Sequence, residues 1–171
     1  GMYNPEALIS FSNKIVDRNS GFYYSKKPNS TREMFNGAMK MISGFDWIGS
    51  EIHYPKKIID TCLSNQPIFE GCDFVDYVYV LNKCSKQTNY KSNEIKNKLI
   101  EISENMESLF HYKFGGYSYF TNKSQTHYYG VNITSGRNVP DIHGTLLCNW
   151  GNILILETLG ELSDKYKVIK P

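Results

Sequence analysis

The sequence predicts an all-α fold of stacked helical hairpins, on three observations. Apolar residues recur at helical spacing in six separate stretches, start and stop residues flank most of them, and amphipathic stretches alternate with more uniformly apolar ones. At 171 residues the expectation is one helical domain, residues 1–171, long enough to bury a real core.

The first helix follows Pro5, with Leu8, Phe11 and Ile15 at helical spacing and Asn19, Ser20 and Gly21 as its stop. Ser30-Thr31-Arg32-Glu33 is a capping-box sequence, in which hydroxyl and carboxylate satisfy amides left free at a helix start. Behind it Met34, Phe35, Ala38, Met39 and Ile42 share one side, and Gly44 is placed to end the helix. Pro55 opens a third helix, with Ile58, Ile59, Cys62 and Leu63 inward.

From Cys72, the residues Phe74, Val75, Val78, Tyr79 and Leu81 read as a largely buried fourth helix, although their β-branched and aromatic content also suits a strand. In the fifth, Ile95, Leu99, Ile102, Met106 and Leu109 fall four and three apart and leave Lys, Glu and Asn for solvent, which predicts an outer helix. The sixth runs from about Thr145 to Leu159 with Gly160 as its stop. It is apolar on most sides, so a central position is expected. Between the fifth and sixth lies a loop from His111 to Gly144, rich in Gly, Tyr, Asn and Ser. Loops this long are functional or disordered, and the aromatics argue against disorder.

Composition narrows the partners. The net charge of +2 comes from charges dispersed along the chain, so no nucleic acid is expected as a partner. No apolar run is long enough for a membrane span, and no signal peptide is visible. Gly1 before Met2 reads as the remnant of a removed tag. Cys62, Cys72, Cys84 and Cys148 sit in helix-like contexts, which predicts free thiols and a cytoplasmic protein. Secretion stays open, because Asn29, Asn122 and Asn132 each begin a glycosylation pattern. No phosphate loop, nucleophile elbow, HExxH helix, EF-hand loop or CxxC pair is present.

Two stretches carry a family resemblance. FEGCDFVDYVYVL (69–81) and PDIHGTLLCNWGNIL (140–154) resemble helix starts in the α/α-toroid superfamily of terpenoid cyclases and protein prenyltransferase β subunits, and GGYSYF (115–120) resembles its Gly-aromatic turns. The resemblance implies a fold like half of an α/α toroid, since a complete ring of twelve helices needs far more chain. Three outcomes stay open: a piece of a larger toroid such as its C-terminal part, two halves assembled as a homodimer, or a likeness of hairpin packing alone. It also implies a zinc site of Glu70, Cys72 and His143, with transferase chemistry on an isoprenoid-like substrate. Zinc accepts these donor types, and a helix N-terminus favours a thiolate. Glu70 stands where that family carries Asp.

The loop SQTHYYGVNITSGRNVPD supplies His127 as a base, Tyr128 and Tyr129 as phenols, Arg137 as a cation and Asp141 as an acid. With His127, Tyr128 and Asp141 as catalytic candidates, such a set suits β-elimination or hydrolysis of an oligosaccharide, Arg gripping a carboxylate. Glycoside hydrolysis would pair Asp141 with Glu70 or Asp73. The plainer readings are Asp141 as a helix cap, Cys72 and His143 as packed side chains, and the Tyr-rich loop as a lid. The functional expectation is therefore twofold. One branch is an enzyme acting on a small-molecule, isoprenoid-like or sugar ligand at the inner-helix starts. The other is a non-catalytic ligand- or partner-binding module, or a half-toroid dimer.

Overall fold

A computed structural model describes residues 4–163 and 165; Gly1 and Met2 lie outside the described residues. Among those residues six helices dominate: α1 (Pro5–Ile15), α2 (Thr31–Ile48), α3 (Pro55–Leu63), α4 (Gly71–Ser85), α5 (Ser92–Met106) and α6 (Ile142–Leu159). The all-α expectation holds. No helix among the described residues is long and apolar enough to cross a membrane.

The centre of the fold is α4. Phe74, Val75, Tyr77, Val78, Val80 and Leu81 are all fully buried, so its apolar residues point outward in every direction to α2, α3, α5 and α6, which pack around it. Its aromatic and β-branched content is thus that of a helix enclosed on all sides. The outer role expected for α5 is seen: Ile95, Leu99, Ile102 and Met106 face the core, and Leu109 follows on a short 3₁₀ turn, Glu107–Leu109.

Three boundary expectations need correction. α2 runs through Gly44 to Ile48 and ends at Gly49, whose φ of 67° lets it close the helix in the left-handed conformation. At Gly44 a Cβ would stand 2.9 Å from Leu8 Cδ2, so that glycine seats α1 on α2. The capping box is offset by one residue: Ser30 Oγ accepts from the Glu33 amide (3.2 Å), but the Glu33 carboxylate accepts from the Asn29 amide (2.8 Å). α6 starts at Ile142, with Asp141 as its N-cap.

The long loop contains two short antiparallel hairpins. β1 (Phe110–His111) pairs with β2 (Gly116–Tyr117), and β3 (His127–Tyr128) with β4 (Val131–Asn132). The second closes through Tyr129 and Gly130, both at positive φ (47° and 81°), the two-residue turn that matches strand twist.

The largest departure concerns α6. It was expected at the centre because it is apolar all round, yet only one face is covered, by Gly144, Cys148, Gly151, Leu154 and Ile155. On the opposite face Ile142 is 90% exposed and Leu146 65%. Apolarity alone does not say which face has a neighbour, and α4 holds the centre instead.

Candidate functional site: a groove along the first half of helix α6

Residues 117–120 form a strap lying across the N-terminal ends of α4 and α6, and two glycines admit it. At Gly144 a Cβ would fall 2.4 Å from Ser118 C and Tyr119 N, and at Gly71 one would fall inside the Tyr119 ring. Only hydrogen fits at either place. The strap is then tied down by backbone bonds, from Gly71 N to Tyr119 O (2.8 Å) and from Asp141 N to Tyr117 O (3.0 Å).

Asp141 is the keystone. Its Oδ1 accepts from Gly144 N (2.7 Å) as the N-cap of α6, and its Oδ2 accepts from Tyr119 N (2.8 Å) and Gln125 N (3.0 Å). One carboxylate thus joins helix, strap and the chain entering the second hairpin. Its lone pairs are spent on backbone amides, which is the capping role weighed for it from sequence.

His143 is the second residue of α6, in its first turn. Its Nδ1 lies 2.8 Å from Gln125 Oε1, and its ring is flanked by Tyr119 (centroids 5.1 Å apart) and edge-on by Tyr128 (5.3 Å). Burial lowers its pKa below 6.5, with Asp141 pulling weakly the other way, so at neutral pH the ring is uncharged. With Gln125 Oε1 assigned as acceptor, Nδ1 carries the proton and Nε2 the lone pair.

The other predicted residues part company with it. Glu70 is the N-cap position of α4, and its carboxylate lies 3.5 Å from Arg32. Arg32 also pairs tightly with Asp73. Cys72 Sγ is 3.0 Å from the Tyr119 hydroxyl, whose pKa is raised, first by burial and then by that contact. The Tyr119 side chain thus contacts both Cys72 and His143. Among the described residues no three His, Cys, Asp or Glu side chains converge as a metal group. Glu70, Cys72 and His143 are not drawn together as one such group in this arrangement. His127 is exposed, its Nδ1 3.1 Å from Thr126 Oγ1. All four cysteines are free.

Beside His143 opens a groove of about 990 Å³. One wall is the exposed face of α6, from Ile142 through Leu146 to Asn149; the other is built by Phe114, Tyr128, Ile133 and Arg137. Tyr128 and Asp141 are the two catalytic candidates on its lining. The groove is mainly apolar, and its one carboxylate, Asp141, is already spent. Residues 108–140 carry Lys113, Lys123 and Arg137 and no acidic residue at all. Arg137 has no carboxylate in ion-pair range among the described residues. The groove is thus greasy with a positive end.

Sequence reading found Tyr128, Asp141 and His143 but missed Gln125, Phe114 and the apolar wall of α6. Gln125 leaves no signal, because only folding brings it to His143. The helix face that carries the wall did leave one: Ile142 and Leu146 on the wall, and Ile153 and Leu156 beyond it, recur four and three apart around Asn149. No family model, curated protein or solved structure matches the chain.

Proposed function

We propose that the protein is a binding module whose working surface is the groove along α6, and that this groove takes an apolar segment of a protein partner. The observation that carries the reading is the exposure of large apolar side chains in one continuous patch: Ile142 at 90%, Leu146 at 65%, Phe114 at 56%, Tyr128 at 48% and Ile133 at 47%. Patches of that size on folded proteins mark interaction sites. The open shape and greasy walls suit an inserted side-chain ridge.

An apolar aryl sulfonate such as anilinonaphthalene sulfonate tests the groove, because its rings suit the walls and its anion suits Arg137. At a dilution where the chain is monomeric, fluorescence should rise on mixing with folded protein, and Leu146→Asp and Arg137→Glu should each weaken binding about tenfold. Their melting temperatures should stay unchanged. Equal binding by all three proteins, or none by the wild type, would refute the reading.

A second reading rests on His143. A neutral imidazole with its Nε2 lone pair free, beside the Tyr128 phenol and in a groove with Arg137, is equipped to move a proton from a carboxylate-bearing ligand. In β-elimination on a uronate-containing oligosaccharide, base and acid would come from this pair. His143→Gln should then abolish formation of the ultraviolet-absorbing unsaturated product, and absence of that product from the wild type across such oligosaccharides would exclude the reading.

A further inference from the structure

We propose that the occupant of the groove is a second copy of this chain, with the two α6 helices paired antiparallel about a twofold axis at Asn149. This rests on the partner-binding reading of the groove and names the partner.

The outer stripe of α6, exposed at Ile142, Leu146, Asn149 and Leu156 and half-buried at Ile153, is symmetric in sequence. Counting from Asn149, Leu146 and Ile142 lie three and seven residues back, and Ile153 and Leu156 lie four and seven residues on. Steps of three and four are the spacing at which one helix presents a continuous seam to another. A twofold axis at Asn149 brings Ile142 against Leu156 of the second copy and Leu146 against its Ile153. Asn149 meets its own counterpart, and two amides satisfy each other as donor and acceptor. The same patch is used by both copies, as a twofold interface requires.

Shape follows the same axis. The groove wall borders only the first half of the stripe, up to Asn149; Ile153 and Leu156 are not among its lining residues. Each copy therefore offers a groove at one end of α6 and, at the other, a low apolar ridge of half-buried Ile153 and 37% exposed Leu156, and antiparallel pairing sets each ridge into the opposite groove. The exposed apolar residues of this face, Phe114, Tyr128, Ile133, Ile142, Leu146 and Leu156, provide roughly 650 Å² per copy, at the lower end of what a specific interface buries on each side.

Charge is complementary too. The only carboxylate on α6, Glu157, is held by Lys86 (2.7 Å) and Asn82 (2.9 Å), so the stripe meets its copy without repulsion. Glu161, exposed just beyond the Gly160 cap, has no ion-pair partner among the described residues, and neither has Arg137. Antiparallel pairing carries the C-terminal end of one α6 to the groove end of the other. Arg137 then faces Glu161 and the negative end of the helix dipole.

Sedimentation velocity on the full chain at rising micromolar concentration, with a covalent trap, tests this. The wild type should sediment as a dimer, Leu146→Glu as a monomer, and Arg137→Glu should weaken association about tenfold. Adding Glu161→Arg to Arg137→Glu should restore it. Asn149→Cys should cross-link two copies on mild oxidation, while Ser108→Cys, on an exposed turn elsewhere, should not. A wild type that stays monomeric, or a dimer indifferent to both Leu146→Glu and the charge exchange, would overturn the proposal. If a monomeric wild type still binds the aryl sulfonate in a Leu146-dependent way, the second copy is excluded and the groove stands. If it binds none, both readings fall.

Discussion

Replacing Asp76 with Asn should stabilise the protein near neutral pH and do nothing for it in acid. Asp76 lies in the packed interface between α2 and α4, only 4% exposed, and Asn36 Nδ2 donates to its Oδ2 at 2.9 Å. Burial, aided by the nearby Asp73 charge, raises its pKa from 3.8 to about 6. A native carboxyl that holds its proton more tightly than the unfolded one disfavours folding wherever it must ionise. That penalty is absent below the unfolded value of 3.8, grows as pH rises, and is complete above about 6. The gap corresponds to about 3 kcal/mol at most. An Asn amide keeps the Asn36 contact but still has to be desolvated, so the net gain is about 1–2 kcal/mol. For a chain of this size that is a rise of about 4 °C in melting temperature at pH 7.5, shrinking to nothing at pH 4. Thermal melts of both proteins across that range are the assay. A gain of equal size at every pH, or a loss at pH 7.5, would refute the assignment of Asp76 as a buried carboxylate ionised at a cost.

Asp141→Ala removes the acceptor of three backbone amides and should cost about 3 kcal/mol in a denaturant titration; a cost under about 1 kcal/mol would mean that the strap holds without it. Gly144→Ala should displace the strap, since backbone atoms would stand 2.4 Å from the new Cβ, and hydrogen exchange at Tyr119 and Gln125 should accelerate while the α4 core stays protected. Tyr119→Phe loses the Cys72 contact and should leave stability within about 1 kcal/mol, with faster alkylation of Cys72. Because burial holds the His143 pKa below 6.5, its packed neutral ring contributes fully above pH 6.5 and progressively less below it. His143→Gln should therefore flatten the acid limb of the stability curve.

Much of the helical framework was legible because its signals are local. Pro5 and Pro55 mark helix starts through their fixed φ and missing N–H, Ser30, Asp141 and Gly160 mark helix ends through bonds to near neighbours, and α5 declares its buried face through spacing alone. Gly44 misled because a glycine inside a helix can serve a neighbour's close approach as well as a stop; here the neighbour is Leu8. α6 misled for a different reason. Its apolar residues surround the axis, and nothing local distinguishes the face pressed on α4 from the face left open. At the site, Asp141 and His143 stood out by type and position, but their partners Tyr119 and Gln125 are 22 and 18 residues away and are brought in by the strap and by the chain entering the second hairpin. The hairpin turn at Tyr129-Gly130 lacks the Asn or Asp that ordinarily announces it.

The most direct measurement is an amide-resolved NMR titration of the native protein with the aryl sulfonate, under conditions where the protein is dilute enough to be monomeric. The account predicts shifts confined to the groove, at Phe114, Gln125, Tyr128, Arg137, Ile142 and Leu146, with the α1 face around Ile9 and Asn13 unmoved. Shifts centred on α1, or none in the first half of α6, would contradict it.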